Sequence, residues 1–225
     1  MTPHLIPLLH LASPQLPVGG FAWSQGLEAA VEVGLVTDGA SAGTWISGVL
    51  HASLGRFEAP LLANLVAAWR KGRDSEVERL NALFAASRET AELLDETSRM
   101  GRALGIWLRD LGVTGEAELQ VLNGLAPLTY PAAFGCAAAS LNLGPGDALT
   151  AYLWAWLENQ VMAAVKLVPL GQTAGQRLLL DLGACLPTLA QSALDLPESQ
   201  WSSLAPGLAI LSSRHETQYS RLFRS

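Results

Sequence analysis

Apolar residues recur along most of the chain at steps of three and four, the spacing that gathers one face of an α-helix. The pattern is densest between Ala148 and Leu182, where Leu149, Leu153, Trp156, Gln160, Ala163 and Leu167 fall on one side. Tyr152, Trp154, Leu157 and Val161 make most of the other sides apolar too. A helix hydrophobic nearly all round is buried inside a larger bundle, so this stretch is expected at the centre of the fold. Pro145-Gly146-Asp147 supplies a turn and an Asp suited to cap its start. Pro169 lacks an N–H and must break or kink the run. Gly171 and Gly175, one turn apart beyond it, allow backbones to approach closely. The expectation is a kinked central helix.

The same spacing places further helices on both sides of it. A first one ends near Ala12, before the Pro/Gly-dense loop Ser13 to Gly20. Ser24 to Val33 follows, with Glu28 in its first turn and Gly34 as its stop. Thr37-Asp38 opens a run carrying Trp45, Val49 and Ala52, and Pro60 is placed to open another at its first position. From Ser75 to Gly112 the apolar spacing persists while Glu92, Asp95, Glu96, Arg99 and Arg102 supply charge pairs for an exposed side. Helices are also expected over 116–123, 131–142, 187–194 and 206–219. No segment alternates apolar and polar residues as a half-buried strand does. The fold class is all-α: a single-domain bundle of about ten helices over residues 1–225.

Composition narrows the function. Half of the 225 residues are hydrophobic and only 15% are charged, a surplus suited to burial against partners. A net charge of −6 argues against nucleic acid, which requires a basic face. The two lysines, Lys71 and Lys166, do not follow a glycine, so no Walker A loop exists. Cys136 and Cys185 lack metal-type spacing and read as reduced thiols. Glu158 and Lys166 interrupt the apolar central stretch, which argues against a membrane span, and the N-terminal stretch is cut by prolines and has no basic lead. A cytoplasmic protein with no cofactor is expected.

Three places carry candidate chemistry. Ala22-Trp23-Ser24-Gln25-Gly26 is one residue away from a nucleophile elbow, and Ser24 with Asp181 or Asp195 and His215 keeps the Ser, Asp, His order of a hydrolase. A helix cap is the plainer role for Ser24, since a Pro/Gly loop and not a strand precedes it. His4, His10, His51 and His215 do not cluster, so no metal site is expected. Lys166 is a lone cation on an apolar helix, either packing its stem or meeting an acidic partner. The segment SSRHETQYSRLFRS alternates Arg214, Arg221 and Arg224 with Tyr219, Leu222 and Phe223. Arg and aromatic residues carry binding energy when buried, so residues 214–225 are expected to form a docking tail, with folding back on the core as the alternative.

Four blocks resemble the UreF family of urease accessory proteins: LASPQLPVGGFAWSQGLEAAVEVGLV, ETSRMGRAL, AYLWAWLENQVMAAVKLVPLGQTAGQRLLL and SSRHETQYSRLFRS. The resemblance implies an all-helical protein that dimerises and is not an enzyme. It implies an adaptor that, with a UreD/UreH-type protein, recruits the GTPase UreG and regulates GTP-dependent nickel insertion into apo-urease. Carried onto this chain, Ser24, Gln25, Glu28 and Lys166 become candidate partner contacts. Arg214, His215, Glu216, Tyr219, Arg221 and Arg224 become candidates for docking the UreD-type partner. Glu58-Ala59-Pro60 departs from the family pattern by a trimmed side chain at Ala59.

Overall fold

The computed structural model describes residues 4–224, and among them there are twelve α-helices and no strand. The all-α expectation holds. At the centre lies α9 (Pro145–Leu167), which is buried at Leu149, Leu153, Leu157, Val161 and Ala164. Around it pack α1 (Leu5–Ala12), α2 (Leu27–Glu32), α3 (Gly39–Val49), α4 (Ala59–Arg70), α10 (Gln172–Gly183) and α11 (Leu186–Asp195). A second layer forms where α8 (Tyr130–Ser140) lies between α4 and α6 (Ala91–Asp110). The remaining helices are α5 (Asp74–Ala86), α7 (Glu116–Gly124) and α12 (Pro206–His215). One continuous set of buried apolar residues runs through all of these layers.

The break at Pro169 is a full reversal. Val168 leaves the helix in extended conformation, and α10 returns along α9. Gly175 makes that return close: a Cβ there would stand 2.6 Å from Val165 Cγ2. Gly171 meets nothing within 4 Å, so only the second glycine acts as a contact. The start of α9 also differs from expectation, because Gly144 is the N-cap and Asp147 lies in the first turn, favourable to the helix dipole without capping. Asp38 does cap α3, exchanging hydrogen bonds with Ser41 in a capping box.

Pro60 does not begin a new helix. The chain stays helical from Gly39 to Arg70 through a π-helical segment, Leu50–Glu58, that joins α3 to α4. Proline has no N–H to give to the preceding turn, and the wider π winding accommodates that loss. The Arg56 carbonyl, which an α-helical residue 60 would have bonded, accepts instead from Ser202 N at 3.1 Å. The winding also turns Glu58 inward, where it is 4% exposed. Ala59 at the trimmed position is fully buried, so a larger side chain there would have to displace a neighbour.

Buried polar groups tie the second layer together. Asn81 on α5 accepts from Thr129 N and Oγ1 through Oδ1 and donates to Pro127 O through Nδ2. Thr97 on α6 accepts from Tyr130 N at 2.9 Å. These bonds hold the loop before α8 against Gly101, where an added Cβ would collide with the Leu128 carbonyl and stand 2.7 Å from Thr129 C. Gly101→Ala is therefore expected to destabilise the fold by about 2 kcal/mol or more, since backbone must move to make room. Gly48→Ala, on α3 with nothing within 4 Å, is expected to stabilise by up to about 1 kcal/mol. Urea unfolding of the two variants checks both signs.

Candidate partner-binding face

The face begins at a tight reversal. Gln25 and Gly26 both have positive φ, 50° and 76°, and the second position lets α12 pack against the turn, with Ser212 N at 3.4 Å from where a Cβ would be. Ser24, fully buried, accepts from Glu28 N through Oγ in the first turn of α2. Gln25 turns its amide inward, accepting from Trp156 Nε1 at 2.7 Å and donating to Glu96 Oε1 at 2.9 Å. One side chain thus joins the start of α2 to α9 and α6. Burial pushes the Glu96 carboxyl up to about 8, aided by nearby Glu58 and opposed by the Gln25 bond and by Arg88. Beside it Glu58 and Arg88 form an ion pair at 2.9 Å, both side chains 6% exposed, and Tyr152 donates to Glu58 at 3.1 Å.

Glu28 is the hub of the face. Its Oε2 is 3.1 Å from His215 Nε2 and accepts from Phe223 N at 2.8 Å, while Oε1 accepts from Leu222 N at 2.6 Å. On its other side the His215 ring reaches Glu92 through Nδ1 at 2.8 Å, and Arg221 bonds the second Glu92 oxygen at 2.9 Å. His215 is fully buried. Glu216 then turns onto the first turn of α6, accepting from Ala91 N at 2.8 Å. The helix expected to run to Tyr219 stops at His215 because these partners hold the chain in another path. Arg214 and His215 belong to α12, and the irregular segment begins at Glu216.

That segment folds back on the body. Arg224 N donates to Ala22 O at 2.9 Å, Phe223 is buried, and the Lys166 ammonium lies 5.5 Å over the Phe223 ring. Tyr219 is fully exposed and Leu222 is 64% exposed. The site residues therefore divide. Ser24, Glu28 and His215 are buried, Gln25 is half-buried, and these four shape the face; Lys166, Arg214, Tyr219, Arg221 and Arg224 are on the outside of it. Residue 225 of the expected tail lies outside the described residues.

Several participants were not anticipated. Glu92 and Glu96 were expected on the exposed side of α6, yet their side chains are nearly enclosed and only Asp95–Arg99 forms the expected surface pair, at 2.7 Å. The four-residue step stacks the two carboxylates on one helical face, but it does not separate an enclosed face from an exposed one. The Ser24 hydrolase arrangement is not assembled: both His215 ring nitrogens are directed to glutamates, and Asp181 and Asp195 are exposed on α10 and at the end of α11. His10 lies edge-on to Trp107 and His51 Nδ1 faces Ser47 O. Among the described residues no group of three or more His, Cys, Asp or Glu side chains is arranged to hold a metal ion.

Two measurements probe these groups. Glu28→Ala removes the acceptor of two backbone N–H groups, of which Phe223 N is buried, and the contact on one side of the His215 ring, for an expected loss of about 3 kcal/mol. The segment after His215 should then be cut by trypsin at Arg221 faster than in the parent chain. Glu96 binds its proton more tightly folded (about 8) than at its ordinary 4.5, so its contribution to stability is complete below pH 4.5 and is lost as pH rises through about 8. Glu96→Gln should flatten the decline in stability across that window, measured by urea midpoints from pH 4.5 to 8.5.

Comparison with known proteins places this architecture. A family model described as UreF matches residues 36–183. The chain is 59% identical to the urease accessory protein UreF of Azoarcus sp. strain BH72, covering 98% of this chain and 95% of that protein. It is 52% identical to the protein of the same name from Dechloromonas aromatica strain RCB, over 98% of this chain and 97% of that one. A protein of Bordetella bronchiseptica named bifunctional urease accessory protein UreEF is 49% identical over 98% of this chain, which spans 52% of it. With its helical fold, its match to the family model and its 59% and 52% identity to two UreF proteins over nearly their whole length, the chain belongs to the UreF family of urease accessory proteins.

Proposed function

We propose that this chain is a non-catalytic urease maturation factor. It joins a UreD/UreH-type protein, recruits the GTPase UreG, and regulates GTP-dependent delivery of nickel into apo-urease, working in the cytoplasm as a homodimer. The observation that carries this reading is the 59% identity, over nearly the whole length of both chains, to a protein named for urease accessory function. The absence of a Walker A loop is consistent with nucleotide chemistry residing in a partner. The fused UreEF relative supports a component that works beside other accessory proteins.

The division of the face into buried and exposed residues suggests separate roles. Lys166, Arg214, Tyr219, Arg221 and Arg224 are the contacts offered to partners, with arginine and tyrosine the residue types that dominate interface energetics. Ser24, Gln25, Glu28 and His215 act through them by fixing where residues 216–224 lie, and Glu216 does so by bonding to α6. A partner that engages Tyr219 and Leu222 completes the burial of a strip already anchored at Phe223.

In cells expressing the complete urease gene set, omission of this chain should leave urease made but nickel-poor and inactive, with recovery on its return. A version ending before Tyr219 keeps His215 in place and should lose recovery while retaining its helical content. Lys166→Ala and Arg221→Ala should each reduce the yield of the accessory complex at least several-fold with unchanged circular dichroism. Equal nickel loading with and without the chain would overturn the maturation role; normal complex yield from both variants would overturn the contact assignments.

A further inference from the structure

Behind the loop over residues 13–18, a cavity of about 340 Å³ extends between α1, α6 and α9. Leu11, Leu16, Leu93 and Met100 line it as buried apolar wall, and the exposed residues Phe21 and Met162 stand along its lining as well. Its polar groups are of two kinds. Glu58 and Arg88 face each other as an ion pair and leave no net charge between them. Glu96 and Tyr130 are less completely occupied. Glu96 uses Oε1 for Gln25, while its Oε2 has no hydrogen-bond partner among the described residues. The Tyr130 hydroxyl has none either; the bond to Thr97 is made by its backbone N.

Both residues are more than nine-tenths buried, at 6% and 9% exposure. Neither oxygen is among the partnerless atoms sealed from solvent, which are Trp45 Nε1 and Gln160 Nε2, so each opens onto the cavity that its residue lines. Buried polar groups are almost always satisfied, and two open ones in a single cavity call for a shared occupant. Water suits polar cavities with several partners per molecule; walls of leucine and methionine suit an apolar body. Burial keeps the Glu96 carboxyl protonated up to about 8 and raises the Tyr130 hydroxyl well above its usual range, so both are O–H donors at neutral pH. The lining is balanced in charge: Arg88 is paired with Glu58, and Glu158 and Lys166 lie on it as one acid and one base, so an anion is not favoured over a neutral group. A cation is favoured no more than an anion, and either would leave water for a chamber walled largely by apolar side chains.

We propose that this cavity binds a small uncharged amphiphile, an apolar body bearing a carbonyl or amide oxygen that accepts from the Glu96 carboxyl and the Tyr130 hydroxyl. The inference is independent of the maturation role, since binding is read on the purified full chain alone. Trp156 lines the cavity and reports occupancy through its fluorescence. Octanamide is titrated into the chain, with octanoate and octylammonium as controls of the same tail and opposite charges. Saturable one-to-one binding of octanamide is expected, at least tenfold tighter than either charged control. Tyr130→Phe keeps the ring and removes only the open hydroxyl, so it should weaken octanamide about threefold to tenfold and leave the melting temperature of the empty chain unchanged. No saturable octanamide binding up to its solubility limit overturns the proposal. So does binding that ignores the head group or is indifferent to Tyr130→Phe.

Discussion

A carboxylate withdrawn from water needs donors, and Glu28 finds the backbone N–H groups of Leu222 and Phe223, with the His215 ring 3.1 Å away. The arrangement of the whole face follows from that requirement. His215 must be at the end of α12 to reach Glu28, so the helix stops there. Leu222 and Phe223 must present their backbone N–H groups, so the segment between lies across α2 and the start of α6. Arg221 is then beside Glu92, and Phe223 falls beneath Lys166. A row of arginine and aromatic side chains is thereby displayed at fixed positions by residues that themselves lie inside.

A second constraint operates in the core. The central helix α9 carries the aromatic side chains that fill the space behind this face: Tyr152 packs with Tyr130 and Phe134, and Trp156 reaches Gln25. Opposite it, the π-wound segment before Pro60 delivers Glu58 to Arg88 and Tyr152. Regular α winding would have sent residue 58 in another direction. The polar end of the cavity therefore depends on the winding that leads into Pro60, two residues after Glu58.

Helix periodicity made the architecture legible: α9 was readable because its apolar residues cover most of its circumference, and Pro169 marked an interruption, though the sequence pointed to a kink and not to the full reversal. The start of α3 at Thr37-Asp38 was readable too, and the structure adds the pairing of Asp38 with Ser41. What was not legible is longer in range. Nothing near Glu92 or Glu96 distinguishes a surface carboxylate from one enclosed by residues over a hundred positions away or by Gln25. The continuation of helix through Pro60 was hidden for the same reason, because its compensation comes from Ser202. Of the candidate residues, type alone marked them as a group, and only their partners separate those that shape the face from those that front it.

The bond from Ser202 to the Arg56 carbonyl bears on how the molecule is made. A nascent chain emerges from the ribosome with the helical rod over 39–70 early and residue 202 late. Throughout that interval the rod has an open carbonyl where a proline denies it a partner, and Glu28 likewise awaits residues 215–223. The early helices can form, but their polar accounts close only when the last segments arrive. Folding of this chain is thus completed from its C-terminal side, because the partners that replace water at the Arg56 carbonyl and at Glu28 are among its last residues.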